Sequence, residues 1–264
     1  MTRLRIGVVL GLLVVASAAL APLLTPYDPI APDYTEIYAS PSLAHPLGTD
    51  GLGRDVLARS LAGGRVSLLV SLSATLLACA VGVAVGITSA GLGGAADTAL
   101  VRVFDAVLAF PGFLLVLLVV TILGGGEAQT VLAMGVAGAP LYFRIARSFT
   151  RSELRTDYVL AGEALGATRT RLLWRHALPN FAGALWVQAA STAATFLLVE
   201  ASLSYLGLGV PLPTPSWGNV LQDARSYLTR QPWAALGPGM FLAAASLAFQ
   251  FISDGLHDRL DRRR

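Results

Sequence analysis

Residues 66–90 read VSLLVSLSATLLACAVGVAVGITSA, a stretch without a single charged side chain. A helix needs about 20 predominantly apolar residues to cross a hydrocarbon layer about 30 Å thick. This stretch is long enough and apolar enough to meet that requirement. It therefore predicts a membrane-spanning helix, and it decides the fold class of the chain.

The composition of the whole chain leads to the same conclusion. Its 264 residues are 55% hydrophobic and 13% charged, with a mean hydropathy of +0.65. Soluble domains are about 45–50% apolar and about 25% charged. Because so few charges could not cover a soluble globule, the composition indicates an integral membrane protein and excludes a soluble enzyme.

Two residue counts exclude further classes of protein. Cys79 is the only cysteine, which rules out an intrachain disulfide and a thiolate metal cluster. All 19 basic residues are arginine, whereas a P-loop ATPase needs a lysine on the nucleotide phosphates. The histidines, His45, His176 and His257, lie far apart in the sequence. We therefore expect no catalytic site, cofactor, metal or nucleic-acid partner.

Uncharged runs between ionisable residues predict six membrane spans, of which the fourth is the shortest. The runs cover residues 6–27, 66–90, 106–126, 128–143, 176–199 and 231–253. The first run could instead be a cleaved secretory signal, since basic residues precede it and Ala19-Leu20-Ala21 follows its apolar part. Pro22, directly after that cut, and the five later spans favour an uncleaved anchor.

The distribution of arginine predicts the orientation in the membrane. With the N-terminus inside, the inner segments carry fourteen arginines and the outer loops five, and arginine accumulates on the cytoplasmic side. Both termini are therefore expected in the cytoplasm. The predicted layout is an anchor (1–27), an extracytoplasmic loop (28–65), a five-helix core (66–256) and a basic cytoplasmic tail (257–264).

Local patterns predict how several segments fold. The end of the outer loop, residues 55–65, has the spacing of a short interfacial helix. Pro111 and Pro140 are expected to kink the third and fourth spans. Gly82 and Gly86 form a small-x-x-x-small face in the second span, which favours close helix packing.

The inner connection at residues 144–180 is the most informative segment, because it is long and carries seven arginines. Its middle reads YVLAGEALGA at 158–167, and TRTRLLWRHALPN follows at 168–180. Gly166 can end a helix in the left-handed conformation, and Pro179 suits the first turn of the next span. A short helix outside the membrane could dock into a groove on another protein; the alternative is a loop that only fixes the topology.

This segment resembles a loop of ABC-importer membrane subunits. Residues 160–179 match the pattern E-A-A-x-x-x-G-x(9)-I-x-L-P, with Gly166, Leu178 and Pro179 at the family's spacing. Leu160-Ala161-Gly162 replaces Glu-Ala-Ala, and His176 replaces the isoleucine. Further motifs are similar to the second, C-type subunit of dipeptide, oligopeptide and nickel permeases: GTD (48–50), GRD (53–55), EASLSYLGLG (200–209), PTPSWG (213–218) and DG (254–255).

The resemblance implies a fold, a function and a set of partners. The implied fold is an all-α integral membrane protein with six transmembrane helices and a cytoplasmic coupling helix between helices 4 and 5. The implied function is half of the path of an ATP-driven importer for peptides, or for a nickel chelate, in a bacterial inner membrane. The implied partners are a paralogous permease subunit, two ABC ATPase subunits and an extracytoplasmic substrate-binding protein.

The resemblance also implies which residues contact the ATPase. They are Tyr158, Leu160, Ala161, Gly162, Glu163, Gly166, Ala167, Leu178 and Pro179. Glu163 lies about one turn after Leu160, where the family's acidic residue is missing, and could offer a carboxylate to the same groove. Alternatively, Glu163 pairs with Arg169 or faces water.

Glu200 and Ser204 are candidates for the translocation pathway or its outer gate. An ionisable residue inside a span is costly and normally faces the bundle interior or an aqueous path. The alternative is a structural carboxylate that binds Ser202 or a neighbouring helix.

In the first outer loop, Asp50, Arg54 and Asp55 predict a local ion-pair cluster rather than a substrate contact.

Two other classes of membrane protein are less consistent with the sequence. An ion-coupled secondary transporter predicts several ionisable residues at mid-membrane and inverted repeats, and neither is visible. An intramembrane hydrolase needs Ser and His, or paired carboxylates, at membrane depth. His45 and His257 lie outside the predicted spans, and His176 lies at the cytoplasmic edge of the fifth span, not at membrane depth.

Overall fold

The computed structural model describes residues 2–261, apart from the side chains of Leu160, Glu163, Ala164, Arg169, Thr170, His176 and Asp261. This part of the chain is helical, apart from connecting loops and one isolated bridge between Thr49 and Asp55. The elements are α1 (Thr2–Ala19), α2 (Ala21–Leu24), α3 (Val56–Leu92), α4 (Gly94–Leu108), α5 (Gly112–Leu123), α6 (Glu127–Glu153), α7 (Asp157–Ala164), α8 (Arg169–Leu172), a π-helical turn (Leu173–Ala177), α9 (Leu178–Tyr205), α10 (Trp217–Arg225) and α11 (Trp233–Asp261).

The long helices confirm a helical membrane architecture but establish fewer than six spans. By length and composition, α1, α3, α9 and α11 can each cross a membrane, and α4 with α5 adds a fifth span if the bent pair counts as one. Helix α6 has 27 residues, about 40 Å at 1.5 Å per residue. It does not qualify by composition, because its first turn is polar and its second half carries Arg144, Arg147 and Arg151.

Contacts between helix ends define one end of the bundle. Leu4 in α1 lies against Gly255 in α11, and Leu260 lies against Gly183 near the start of α9. The two ends of the described chain and residues 144–180 therefore lie together, at what we call the arginine-rich end. Residues 28–55 and α10 lie at the opposite end, which we call the loop end.

Glycines on α3 permit the close contact between α3 and α6. A Cβ atom on Gly82 would lie 2.4 Å from the carbonyl oxygen of Ala139, and one on Gly86 would lie 2.7 Å from that of Phe143. Real Cβ atoms cannot approach so closely, so only glycine fits at both positions. The predicted small-x-x-x-small face is therefore the packing surface between these two helices.

Two local predictions require correction. Residues 56–65 form no separate interfacial helix; they are the first turns of the continuous helix α3, which Asp55 caps by accepting a hydrogen bond from the Ala58 amide at 2.6 Å. The irregular part of the outer segment therefore ends at residue 55, while the extracytoplasmic extent 28–65 stays a prediction.

The predicted third span, 106–126, is broken rather than kinked. Helices α4 and α5 meet at 89°, and Pro111 is the N-cap of the 12-residue helix α5. Proline has no backbone N–H and disfavours the helical conformation of the residue before it, so a helix commonly ends there. Pro140 lies inside α6, which continues through it.

Candidate functional site

A short helix, α7, lies at the arginine-rich end, in the segment for which docking on a partner is predicted. After Ala164 the chain turns at Gly166, whose φ of +85° is left-handed, and the Ala167 amide donates to the carbonyl of Gly162 at 3.0 Å. Glycine adopts this conformation without the steric cost that other residues incur. The predicted role of Gly166 as a helix terminator therefore agrees with the local backbone.

The segment after α7 leads directly into α9. A π-helical turn at Leu173–Ala177 precedes α9, and Leu178 and Pro179 occupy its first turn. Leu178 is half-buried and Pro179 is exposed. Proline is favoured at this position because its missing N–H would have no partner in the first turn.

Glu153, the last residue of α6, contacts residues at both ends of the segment 158–180. The Tyr158 hydroxyl donates to the Glu153 carboxylate, and Asn180 Nδ2 donates to Glu153 at 3.1 Å and to the Tyr158 oxygen at 3.0 Å. Burial and the neighbouring carboxylate raise the pKa of Tyr158, which keeps the phenol protonated as a donor. The three side chains therefore tie α7 to the end of α6 and the start of α9.

One face of α7 packs inward while another is exposed. Val159 is buried, and a Cβ atom on Gly162 would lie 2.9 Å from Leu172 Cδ2. Tyr158 is 45% exposed, Ala161 is exposed, and Leu165, just beyond the helix, is 89% exposed. Because positions i, i+3 and i+7 share one helical face, these three residues form a surface that we call the α7 outer face.

The sequence pattern identified only part of this site. It included Tyr158 and Ala161 but missed the apolar Leu165, as well as the anchoring residues Glu153 and Asn180. The side chains of Leu160 and Glu163 lie outside the described part, so their predicted contacts stay predictions. Helical spacing from Tyr158 could have found Leu165, whereas no local signal joins Glu153 to Asn180.

Glu200 lies in α9 toward the loop end and is completely buried, with 0% exposure. Ser204 Oγ donates to Glu200 Oε1 at 2.8 Å, and the hydroxyls of Ser67 and Ser216 lie close to the same carboxyl group. Within the described residues, Oε2 has no hydrogen-bond partner by geometry. Ser202, the alternative partner from the sequence, donates to the Leu198 carbonyl instead.

The chain between α9 and α10 covers this carboxyl group. The Val210 amide donates to Ser204 Oγ at 3.1 Å. A Cβ atom on Gly218 would lie 2.3 Å from the Ala201 carbonyl oxygen. We call residues 207–218 the covering segment, since it separates Glu200 from the surface at the loop end.

Helix α10 is fixed to α3 at its N-terminus. Ser216 caps it in a reciprocal capping box with Asn219. The backbone amide of Trp217 donates to Ser67 Oγ at 3.1 Å, and its indole Nε1 donates to the Ser60 carbonyl at 2.8 Å. The buried indole therefore holds the covering segment against the bundle.

An ion-pair network fixes the other end of α10. Asp50 pairs with Arg54 at 2.7 Å and with the fully buried Arg59 at 3.4 Å. Asp223 in α10 pairs with Arg59 at 3.0 Å and with Arg54 at 3.1 Å. The predicted local cluster therefore exists, but it extends to residues more than 160 positions away.

Asp55 is not part of this network, contrary to the prediction. Besides capping α3, its carboxylate contacts His45 Nδ1 at 2.8 Å. The His45 ring also packs on Tyr27 with a centroid distance of 4.4 Å. Asp55 therefore organises the junction between the outer loop and α3.

Comparison with known proteins adds independent information to this geometry. A family model described as "Binding-protein-dependent transport system inner membrane component" matches residues 82–264. A protein of Brucella suis biovar 1, named as a peptide permease, is 41% identical over 244 residues, which cover 92% of this chain and 81% of the relative.

Two further relatives cover almost the whole chain. A di/tripeptide transport system permease protein of Pseudomonas aeruginosa is 38% identical over 97% of this chain and 86% of its own length. An oligopeptide transport system permease protein of Bacillus subtilis is 36% identical over 97% of this chain and 84% of its own. The matched family region contains α7, Glu200 and α10.

Proposed function

We propose, because this chain belongs to the family of binding-protein-dependent transport system inner membrane components, that it forms half of the path of an ATP-driven peptide importer. It is a transport subunit rather than an enzyme, and ATP is hydrolysed by separate subunits. The observation that carries this proposal is the α7 outer face, which a soluble partner can reach at the arginine-rich end.

The proposed topology has six membrane crossings. Helix α6 is the fourth crossing, and the bent pair α4–α5 is the third. The arginine-rich end lies in the cytoplasm with both termini, and the loop end lies outside, which the fourteen-to-five arginine bias supports. In this layout residues 1–27 are the anchor, 28–65 the extracytoplasmic segment, 66–256 the core and 257–264 the cytoplasmic tail.

The proposed assembly contains four kinds of partner: a paralogous permease subunit, two ABC ATPase subunits, an extracytoplasmic substrate-binding protein and the lipid bilayer. One ATPase subunit contacts α7 and its flanks, through the residues that the family loop implies. The names of the relatives, which specify di/tripeptide and oligopeptide transport, favour peptides over a nickel chelate as the cargo. Family membership argues against the alternative of an ion-coupled secondary transporter.

Binding of the ATPase subunit tests the proposed docking surface. Replacing exposed residues of that surface, Ala161→Arg with Leu165→Ser, should weaken co-purification of the ATPase by about tenfold or more, since disrupting an interface hot spot costs about 2 kcal/mol or more. Leu43→Ser is the matched control, because Leu43 is fully exposed at the loop end. Equal recovery of the ATPase with all variants would contradict docking at α7.

We propose that Glu200 and Ser204 hold an outer gate in its closed position. Their hydrogen bond holds the covering segment through the Val210 amide. In a Cys79→Ala background, Val210→Cys places a nearly buried thiol within this segment. Glu200→Leu should raise its labelling rate from outside about tenfold, because an orphaned buried hydrogen-bonding group costs about 1–3 kcal/mol.

Ser202→Ala controls for loss of a nearby hydroxyl, since Ser202 bonds only within its own helix turn. Its labelling rate should equal that of the background. If Glu200→Leu also leaves the rate unchanged, Glu200 does not hold the gate.

A further inference from the structure

Asp97 joins three helices at the arginine-rich end. Its carboxylate accepts hydrogen bonds from Ser89 in α3 at 2.7 Å and from Arg147 Nε and Nη2 in α6, both at 2.6 Å. Arg151 lies 3.9 Å away. Two parallel bonds from one guanidinium fix both distance and orientation, and we call these four residues the Asp97 cluster.

Helix α4 depends on this cluster for its position. Asp97, 4% exposed, is the only buried residue of α4, all of whose residues are described. Gly93 precedes the helix and Gly94 begins it, with φ of +64° and +56° and no described atom within 4 Å of an added Cβ, and the 89° break at Pro111 follows the helix. A short rigid helix between two such junctions can change its angle without disturbing a packed core, as hinge segments do.

Two weaker contacts also join α4 to α6. Asp105 pairs with Arg144 at 2.7 Å, but both side chains are substantially exposed. Phe104 stacks on Phe143 with a centroid distance of 4.2 Å. Exposed ion pairs contribute little to stability, so the Asp97 cluster is the dominant polar attachment of α4.

The α6 end of the cluster leads to α7. Arg147 and Arg151 lie within the last two turns before Glu153, which binds Tyr158 and Asn180. A displacement of α7 therefore acts on the helix end that carries the two arginines.

The other end of the bent pair leads to the covering segment. After α5, the Gly126 amide donates to the Gly209 carbonyl at 3.1 Å. Gly209 lies directly on Ser204, where an added Cβ would be 2.2 Å from the Ser204 hydroxyl. Contacts thus run without a gap from α7, through the Asp97 cluster and α4–α5, to the segment over Glu200.

We propose that Asp97 is a positioning residue that couples the position of α7 to the covering segment through the bent pair α4–α5. This inference rests on the proposed function, in which α7 contacts an ATPase. The coupling requires the bent pair to adopt a second arrangement, which the hinge-like junctions at Gly93–Gly94 and Pro111 permit, and both sites would bias it.

The test compares basal and stimulated ATP hydrolysis in the complete importer, reconstituted in proteoliposomes with peptide-loaded binding protein. Asp97→Asn should leave the basal rate within about twofold but lower stimulation by the binding protein about tenfold, a coupling free energy of about 1.4 kcal/mol. Arg147→Lys keeps the charge but loses the bidentate hydrogen bonding. It should lower the stimulation of ATP hydrolysis by an intermediate amount. Asp105→Asn, at the exposed pair, is the matched control and should behave like the parent.

The outcomes separate the coupling from the proposed function. If Asp97→Asn and Arg147→Lys both keep stimulation within twofold of the parent, the proposed coupling is wrong, whereas the proposed importer function stands. Proportional loss of basal and stimulated rates in Arg147→Lys would indicate a purely structural role and would also overturn it. Should Asp97→Asn fail to assemble, Arg147→Lys decides alone. Failure of the parent chain to assemble with ATPase subunits would instead contradict the proposed function.

Discussion

Gly166 ends α7, so its backbone conformation determines how the proposed docking helix terminates. Its φ of +85° is left-handed, and among the described residues no atom lies within 4 Å of the position that a Cβ atom would take. A side chain at this position would therefore be disfavoured by its own backbone rather than by a collision with neighbours. Substitutions at Gly166 should change the end of α7 while leaving the membrane helices intact.

Gly166→Val should abolish transport and the stimulation of ATP hydrolysis without preventing membrane insertion. A Cβ atom costs about 1–2 kcal/mol in the left-handed conformation, and β-branching adds to this cost. Gly166→Asn is the matched control, because asparagine tolerates the conformation, and it should retain most activity. Uptake by Gly166→Val at the parent rate would refute this role for the helix end.

At the scale of elements, α10 is fixed from both ends by contacts that differ in kind. Its N-terminus uses the capping box and the Trp217 indole, whereas its C-terminal half uses Asp223 and two buried guanidinium groups. The buried Arg59 makes the second attachment costly to break, since a buried charge needs its partner. Helix α10 should therefore loosen when Asp223 is removed.

Asp223→Ala should destabilise the loop end and expose the chain after Tyr205 to proteolysis. Breaking a buried ion pair costs about 3–5 kcal/mol, and Asp50 should retain part of the interaction. Limited proteolysis and thermal unfolding in detergent would measure the effect. Arg225→Ala, an exposed position on the same helix, should shift stability by no more than about 0.5 kcal/mol. Equal protease resistance of both variants would contradict the network's role.

The sequence predicted elements better than it predicted contacts. Apolar runs located α1, α3, α9 and α11, and Gly166 and Pro179 marked the end of α7 and the start of α9, because these signals are local. The pairing of Arg59 with Asp223 spans 164 residues, and no local pattern identifies it. Proline at position 111 predicted a kink, but the 89° turn depends on how α4 attaches to α6.

Asp55 illustrates the same limit in a single side chain. Its neighbours Asp50 and Arg54 suggested one local ion-pair cluster, yet its carboxylate caps α3 and contacts His45. A sequence gives the charge of a residue, whereas the direction of its side chain follows from where the helix begins.

At the scale of the whole molecule, the arginine bias predicts that the arginine-rich end faces the cytoplasm. In a Cys79→Ala background, cysteines replacing the exposed residues Ser42 and Thr229 should react with a membrane-impermeant reagent added to intact cells. A cysteine replacing Thr168, also exposed but at the arginine-rich end, should react only after permeabilisation. Labelling of Thr168→Cys in intact cells would reverse the topology.

Peptide uptake by reconstituted liposomes tests the central claim most directly. The liposomes would contain this chain, its paralogous permease and the two ATPase subunits, with binding protein and labelled di- or oligopeptide added outside and ATP inside. We predict uptake that requires ATP and stops when this chain is omitted. Uptake that persists without the chain, or that an ion gradient drives in the absence of the ATPase subunits, would contradict the assignment as an importer permease.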